Sequence, residues 1–179
     1  MLLQCKRINL KVTRELISAE KIQDKIQELA DLINKDYQND EVIILGILKG
    51  SFITVSDLAK NLKVDVTFEF MSISSYEGSE STGQVKIEKD LDIDITGKNI
   101  LVVEDIFDTG LTLSSLLEVL KSRNPKSVQI LCTFIKEDKQ QIPVDIKYKG
   151  FTIGPEFVVG YGLDYNGKYR ELPYLGVLS

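Results

Sequence analysis

The sequence predicts an α/β domain built on a mainly parallel, twisted sheet flanked by helices. Three near-continuous apolar runs carry that prediction: EVIILGIL (41–48), NILVV (99–103) and SVQILCTFI (127–135). Each has the length and character of a strand covered on both faces. Helical stretches lie between them, SFITVSDLAKNL (51–62) and SSLLEVLKS (114–122), so strand and helix alternate along the chain. The 179 residues suit a single domain over 1–179, with neither an internal repeat nor a Pro/Ser-rich linker to divide it.

Each element has a local reason. Ser18 is a natural N-cap, and Ile22, Ile26, Leu29 and Ile33 then recur on one face of a helix. The 41–48 run follows as a buried strand, and 51–62 as the next helix. VDVTFEF (64–70) alternates with period two, as a half-exposed strand does. The 99–103 run, the 114–122 helix and the 127–135 run complete the alternation.

Composition excludes several functions. Twenty-two basic against 27 acidic side chains leave a formal charge of −5, which draws in neither nucleic acid nor an anionic membrane. A phosphate ligand must then be met by local donors or by a metal. The chain has no histidine, so serine–histidine and cysteine–histidine catalysis and histidine-rich zinc sites are ruled out. Cys5 and Cys132 have no paired spacing, which suits two free thiols in a reducing cytoplasm. The apolar start of the N-terminus is too short for a signal peptide, and no run approaches the ~20 residues of a membrane span.

In parallel sheets, ligands sit beyond the carboxyl ends of the strands. The stretches that matter are therefore 48–52, 104–112 and 136–140. In VVEDIFDTGLTL (102–113) a buried strand runs into Glu104 and Asp105, and residues 108–112 turn into a helix. Gly110 permits close backbone approach, Thr109 and Thr112 offer hydroxyls, and the first helical N–H groups complete an anion cradle. The plain alternative is a helix capped by Asp108 or Thr112 beyond a solvated acidic strand end. This turn is neither a GxxxxGK[ST] loop nor a GxGxxG turn.

The order of apolar strand, two acids, two apolar residues and D-T-G-x-T resembles the phosphoribosyl-diphosphate signature of type I phosphoribosyltransferases. The resemblance implies that Asp108, Thr109, Gly110, Leu111 and Thr112 hold a 5′-phosphate. It implies that Glu104 and Asp105 hold the ribose hydroxyls and a magnesium ion (Mg2+). Carboxylates accept from hydroxyls and bind hard cations, so the mixture is chemically sound. Asp108 is the candidate general base for a purine nitrogen proton.

Further stretches resemble the hypoxanthine-guanine branch of that family. LKGS (48–51) looks like its pyrophosphate loop, with Lys49, Gly50 and a cis Leu48–Lys49 peptide. SSYEGSESTGQVKI (74–87), aperiodic and rich in Ser and Gly, reads as a loop and resembles the branch's catalytic lid with its Ser75–Tyr76 pair. Within 156–178, the resemblance makes Phe157 the ring stacked on the purine and Val158 the residue whose backbone reads the purine edge. Asp164 becomes a ligand of a second magnesium ion near the purine, and Arg170 a pyrophosphate contact. Residues 150–179 and the N-terminal segment would form a small purine-binding hood.

One departure concerns the lysine expected after the third buried strand. Counting back from KGF (149–151) selects Lys136, whereas counting forward from the strand lands on Glu137. A glutamate cannot donate to a 6-oxo group, so Lys136 is the chemical choice. The expected reaction is magnesium-dependent transfer of 5-phosphoribose from its 1-diphosphate to hypoxanthine or guanine. The expected partners are small-molecule substrates, with no nucleic acid or membrane, and the expected assembly is a homodimer or homotetramer. The rival readings are a sister enzyme preferring xanthine or adenine, and a pyrimidine-responsive RNA-binding regulator of the same fold.

Overall fold

The computed structural model describes residues 11–75, 85–136 and 140–179. The elements run β1 (Val12–Ile17), α1 (Ala19–Asp36), β2 (Val42–Leu48), α2 (Phe52–Ala59), β3 (Val66–Ser75) and β4 (Val85–Lys89). They continue as β5 (Asn99–Phe107), α3 (Leu111–Ser122), β6 (Ser127–Lys136), β7 (Tyr148–Ile153), β8 (Val158–Val159) and β9 (Leu175–Leu178). Among the described residues no helix is long and apolar enough to cross a membrane.

Six strands form one sheet in the order β4-β3-β2-β5-β6-β7. Every neighbouring pair is parallel except β3 with β4, so the sheet is mainly parallel as the alternation requires. Successive residues of β2 explain its unbroken apolar run. Val42 and Ile44 pack with α1 and α2 on one face, while Ile43 and Leu45 pack with α3 on the other. Ser18 accepts a hydrogen bond from the Lys21 N–H at 3.3 Å, capping α1. Ile22, Ile26, Leu29 and Ile33 of that helix are buried as their spacing predicts, each worth roughly 1.5–3 kcal/mol of apolar transfer.

Three boundaries differ from the sequence reading. β5 does not stop at Val103. Its pairing with β2 ends at Gly46↔Val103, but its ladder with β6 continues through Glu104↔Cys132 to Phe107↔Ile135. The two acids therefore stand inside a strand, on the side from which β2 has withdrawn. Residues 74–87 are not loop throughout: Ser74 and Ser75 pair antiparallel with Lys86 and Val85. Their polar side chains hid the hairpin ends, because backbone pairing needs no apolar pattern. Tyr76 and the rest of 76–84 lie outside the described residues. Finally, α3 begins at Leu111, so Leu111 and Thr112 belong to the helix's first turn.

A second, three-stranded sheet joins the two ends of the chain in the order β1-β9-β8, antiparallel throughout. This is the small hood expected from the terminal segments. Residues 150–153 complete β7 of the large sheet, so the C-terminal hood strands β8 and β9 begin beyond them.

Candidate active site

The order of the parallel strands reverses between β2 and β5: the connection from β2 leads outward to β3, that from β5 outward to β6. Such a switch point opens a crevice at the carboxyl ends of the strands. Two loops border it, Lys49–Ser51 after β2 and Asp108–Gly110 after β5. The Leu48–Lys49 peptide is cis, as the resemblance implied. Lys49 is exposed, whereas Gly50 is buried so close to Asp105 that a Cβ there would fall on the carboxylate.

Glu104 and Asp105 are only half-buried as residues, but their carboxyl groups are enclosed. They are not a solvated strand end. Burial and then the neighbouring Asp105 charge push the Glu104 carboxyl well above the usual range. Burial also raises Asp105, to about 6, against the lowering effects of the Ile106 N–H and the Arg170 guanidinium. Glu104 Oε2 is sealed from solvent with no hydrogen-bond partner among the described residues. Two enclosed acids with raised pKa values are poised for a group that compensates charge. Opposite Glu104 in the ladder lies Cys132, a buried free thiol; Cys5 is outside the described residues.

The turn after β5 has the form of an anion cradle. Gly110, at φ 84°, is the N-cap of α3 and brings no side chain of its own to the cap. Glycine suits this position twice over: the left-handed φ, and the Ile142 carbonyl that a Cβ would strike. The N–H groups of Gln141 and Ile142 both bond the Thr109 carbonyl, at 3.0 and 3.2 Å, which pins the turn from behind. Thr109 Oγ1 accepts from the Leu111 N–H at 3.4 Å. A cavity of about 150 Å³ opens here, lined among others by Glu104, Asp108, Thr109, Gly110 and Thr112. Leu111 is not among its lining residues.

A second cavity, of about 390 Å³, adjoins the first through Asp108 and Ile106. It brings together Asp105, Asp108, Lys136, Phe157, Val158 and Asp164, which lie up to 59 positions apart in sequence (164 − 105). Phe157 is 53% exposed, unusual for a phenylalanine beside a core strand, and its ring meets Tyr165 edge-on at 5.8 Å. An exposed ring over a cavity is a ready stacking platform. Lys136, the last residue of β6, is 6% exposed and donates from Nζ to the Glu156 carbonyl at 3.0 Å. Glu137, its rival by spacing, lies outside the described residues.

Asp164 and Arg170 are brought to each other: Arg170 Nη2 sits 2.6 Å from Asp164 Oδ1, and Arg170 Nη1 bonds the Gly162 carbonyl. Sequence reasoning missed Ile106 and Leu163 as cavity walls, and Glu156 as the holder of Lys136. The Glu156 role is carried by a backbone carbonyl, which leaves no trace in residue type.

No cluster of three or more His, Cys, Asp or Glu that could hold a metal occurs among the described residues. The donor set nevertheless fits a magnesium ion completed by ligand oxygens and water, as such ions are bound through one or two carboxylates plus phosphates. The orphaned Glu104 oxygen and the raised Asp105 are the observations that support the fit.

A mainly parallel sheet with a phosphate-type turn and two acids at its switch point, and with an exposed aromatic ring over the adjoining cavity, is the architecture of a phosphoribosyl-handling domain. Residues 13–166 match the model of the phosphoribosyl transferase domain, and the chain belongs to that family. It is 46% identical over 164 residues to the hypoxanthine phosphoribosyltransferase of Buchnera aphidicola subsp. Schizaphis graminum, covering 90% of this chain and 93% of that one. It is also 46% identical over 171 residues to the hypoxanthine-guanine phosphoribosyltransferase of Mycobacterium bovis, 92% and 85% of the two chains. The crystal structure of a hypoxanthine-guanine phosphoribosyltransferase from Bacillus anthracis is similar to it with a TM-score of 0.90 at 41% identity, over 96% of this chain and 99% of that one.

Proposed function

We propose that the chain is a purine-salvage enzyme that transfers 5-phosphoribose from 5-phosphoribosyl 1-diphosphate to hypoxanthine or guanine, giving IMP or GMP and pyrophosphate. One observation carries the reading: the 390 Å³ cavity sets Lys136 and the exposed Phe157 ring beside Asp108, at the edge of the anion cradle. The relatives' names point to the same reaction.

In this reading the 5′-phosphate rests on Thr109, Gly110, Thr112 and the first N–H groups of α3. Glu104 and Asp105 accept from the ribose hydroxyls, and Lys49, Gly50 and Arg170 face the diphosphate. The purine stacks on Phe157 with its edge against the Val158 backbone, and Lys136 donates to the 6-oxygen. The bond from ribose C1 to diphosphate breaks as the purine nitrogen bonds to C1, and Asp108 takes the nitrogen's proton. Glu104, Asp105 and Asp164 are the residues that would hold a magnesium ion, which would supply positive charge against the leaving diphosphate. The segment of Ser75 and Tyr76 acts as the lid that keeps water from the sugar cation. The assembly in solution is a homodimer or homotetramer, and the site of action the cytoplasm.

The test is a transfer assay with hypoxanthine, guanine, xanthine, adenine and uracil in parallel, with magnesium and with excess chelator. We expect turnover with the 6-oxopurines, loss of it in chelator and recovery on adding magnesium. Preference for adenine would overturn the assignment of Lys136, and full activity in chelator the metal requirement.

A second expectation concerns Lys136 alone. Lys136→Ala removes a charged donor from the purine, so base affinity should fall by roughly 10–100-fold. Diphosphate-substrate binding, measured directly by calorimetry, should stay near normal. Equal loss in both would return Lys136 to a purely architectural role through Glu156.

A further inference from the structure

Residues Gly160–Leu163 form a two-residue turn. The Gly160 N–H donates to the Leu163 carbonyl and the Leu163 N–H to the Gly160 carbonyl, each at 3.0 Å. Both central residues have positive φ, 47° at Tyr161 and 97° at Gly162. That is the type I′ pattern, whose first central position suits Asn, Asp or Gly. A tyrosine is strained there and must be held by something beyond the turn.

Two tertiary contacts hold it. Tyr161 is 1% exposed, with its ring edge-on to Phe134 at 6.3 Å. Its hydroxyl donates to Asp57 Oδ2 at 2.9 Å. Asp57 lies on α2, the helix that follows the Lys49–Ser51 loop directly, and also accepts from Gln23 and Lys60, each at 2.8 Å. Burial raises the Asp57 pKa, but the bonds from Lys60, Gln23 and Tyr161 outweigh it and hold the carboxyl below the usual range. The acceptor is thus an anion, and the bond a strong one.

The turn's other side faces the site. Gly162 packs so closely on the Gly50 carbonyl that a Cβ there would overlap it. The Gly162 N–H donates to the Arg170 carbonyl at 3.0 Å, and Arg170 Nη1 returns a bond to the Gly162 carbonyl. Leu163 and Asp164, next along the chain, are walls of the larger cavity.

The geometry points to Tyr161 and Asp57 as a positioning pair, whose phenol–carboxylate bond locks the Gly160–Leu163 turn to α2 and so fixes Gly50 against Asp164 and Arg170 across the site. Neither residue touches a substrate in this arrangement; the pair acts through the turn. The kinetic consequence rests on the proposed transfer reaction. A misplacement of about 1 Å among positioned groups can cost ~10²-fold, so losing the lock should be visible in rate without unfolding the chain.

Tyr161→Phe removes the hydroxyl and keeps the buried ring. We expect kcat/KM for the diphosphate substrate to fall by about 10–100-fold, well below the melting temperature. Asp57→Ala should do the same, the double variant should be no worse than either single one, and Asp57→Asn, which keeps an acceptor, should recover most of the rate. Lys60→Ala removes the exposed partner of the same carboxylate and should leave the kinetics as they are. A Tyr161→Phe enzyme within about twofold of the parent, additive losses in the double variant, or an equal loss in Lys60→Ala overturns the pair. A parent chain inactive on every purine would sink the proposed function instead. The lock is then read by amide exchange, where Tyr161→Phe should lower protection at Gly160–Leu163 and unchanged protection there overturns it.

Discussion

Asp108→Asn should lower turnover by about 10²–10⁴-fold while both substrates still bind, because the substitution keeps size and removes basicity. Asp108 is shared by the two cavities, the cradle of Gly110 and Thr112 on one side and the chamber of Lys136 and Phe157 on the other. A carboxylate makes a poor direct ligand for phosphate, since like charges repel, and Thr109, Gly110 and Thr112 already offer neutral donors. Its place between the cavities is where a purine nitrogen meets the ribose carbon in the proposed reaction. Single-turnover rates with direct binding measurements make the comparison, because a Michaelis constant can conceal slow product release. Near-normal turnover would remove Asp108 from proton transfer.

Glu104→Gln and Asp105→Asn should move binding and stability in opposite directions. Each removes an enclosed carboxylate that the proposed ribose and magnesium contacts need, so affinity for the magnesium–diphosphate substrate should drop by roughly 100-fold or more. Each should also raise the melting temperature of the ligand-free protein at neutral pH. The native chain holds these protons more tightly than the unfolded chain does: burial raises Asp105 to about 6 from 3.8, and burial and the Asp105 charge push Glu104 well above its usual range. Below about pH 4 both states are protonated and nothing is lost. As pH rises towards 6 the unfolded chain releases its protons first, and stability declines until Asp105 ionises in the native state too. For Asp105 alone the deficit is on the order of 3 kcal/mol at neutral pH. In a chain of this size about 1 kcal/mol moves the melting temperature by roughly 2–4 °C. Thermal melts of parent and variants across pH 4–8 check this; a variant that melts lower than the parent at pH 7 would show the acids to be structural. Strained acids that destabilise a fold are tolerated where a ligand's charge offsets them, so the two signs together separate a site from a surface feature.

Much of the molecule was legible locally. The β2 run, Val42 to Leu48, is apolar at every position but Gly46 because α1, α2 and α3 cover both its faces, and that double coverage alone selects a parallel sheet. Ser18 and the four apolar residues behind it specify α1 through contacts no more than four residues apart. The D-T-G-x-T turn is local as well: the left-handed Gly110 and the hydroxyls around it are properties of a five-residue stretch. These features are written in residue type and spacing, and a sequence carries both.

The rest depended on which strands became neighbours. Val103 ends the apolar run, yet β5 continues to Phe107 because β6 still pairs with it after β2 has turned away, and this encloses Glu104 and Asp105 rather than leaving them in solvent. Ser74 and Ser75 read as loop until β4 pairs with them. Lys136 owes its place to the Glu156 carbonyl twenty residues on, and Tyr161 keeps a backbone conformation its own side chain disfavours through Asp57, 104 positions away. The physical reason is common to all four. Backbone hydrogen bonds and buried polar contacts are satisfied between segments remote in sequence, and neither a carbonyl nor a ladder N–H depends on the identity of the residue that bears it. The amino-acid sequence by itself determined the layers, the start of α1 and the phosphate-type turn. Only the tertiary structure decided that Glu104 and Asp105 stand inside a strand and that Lys136 lies beside Phe157 at the larger cavity.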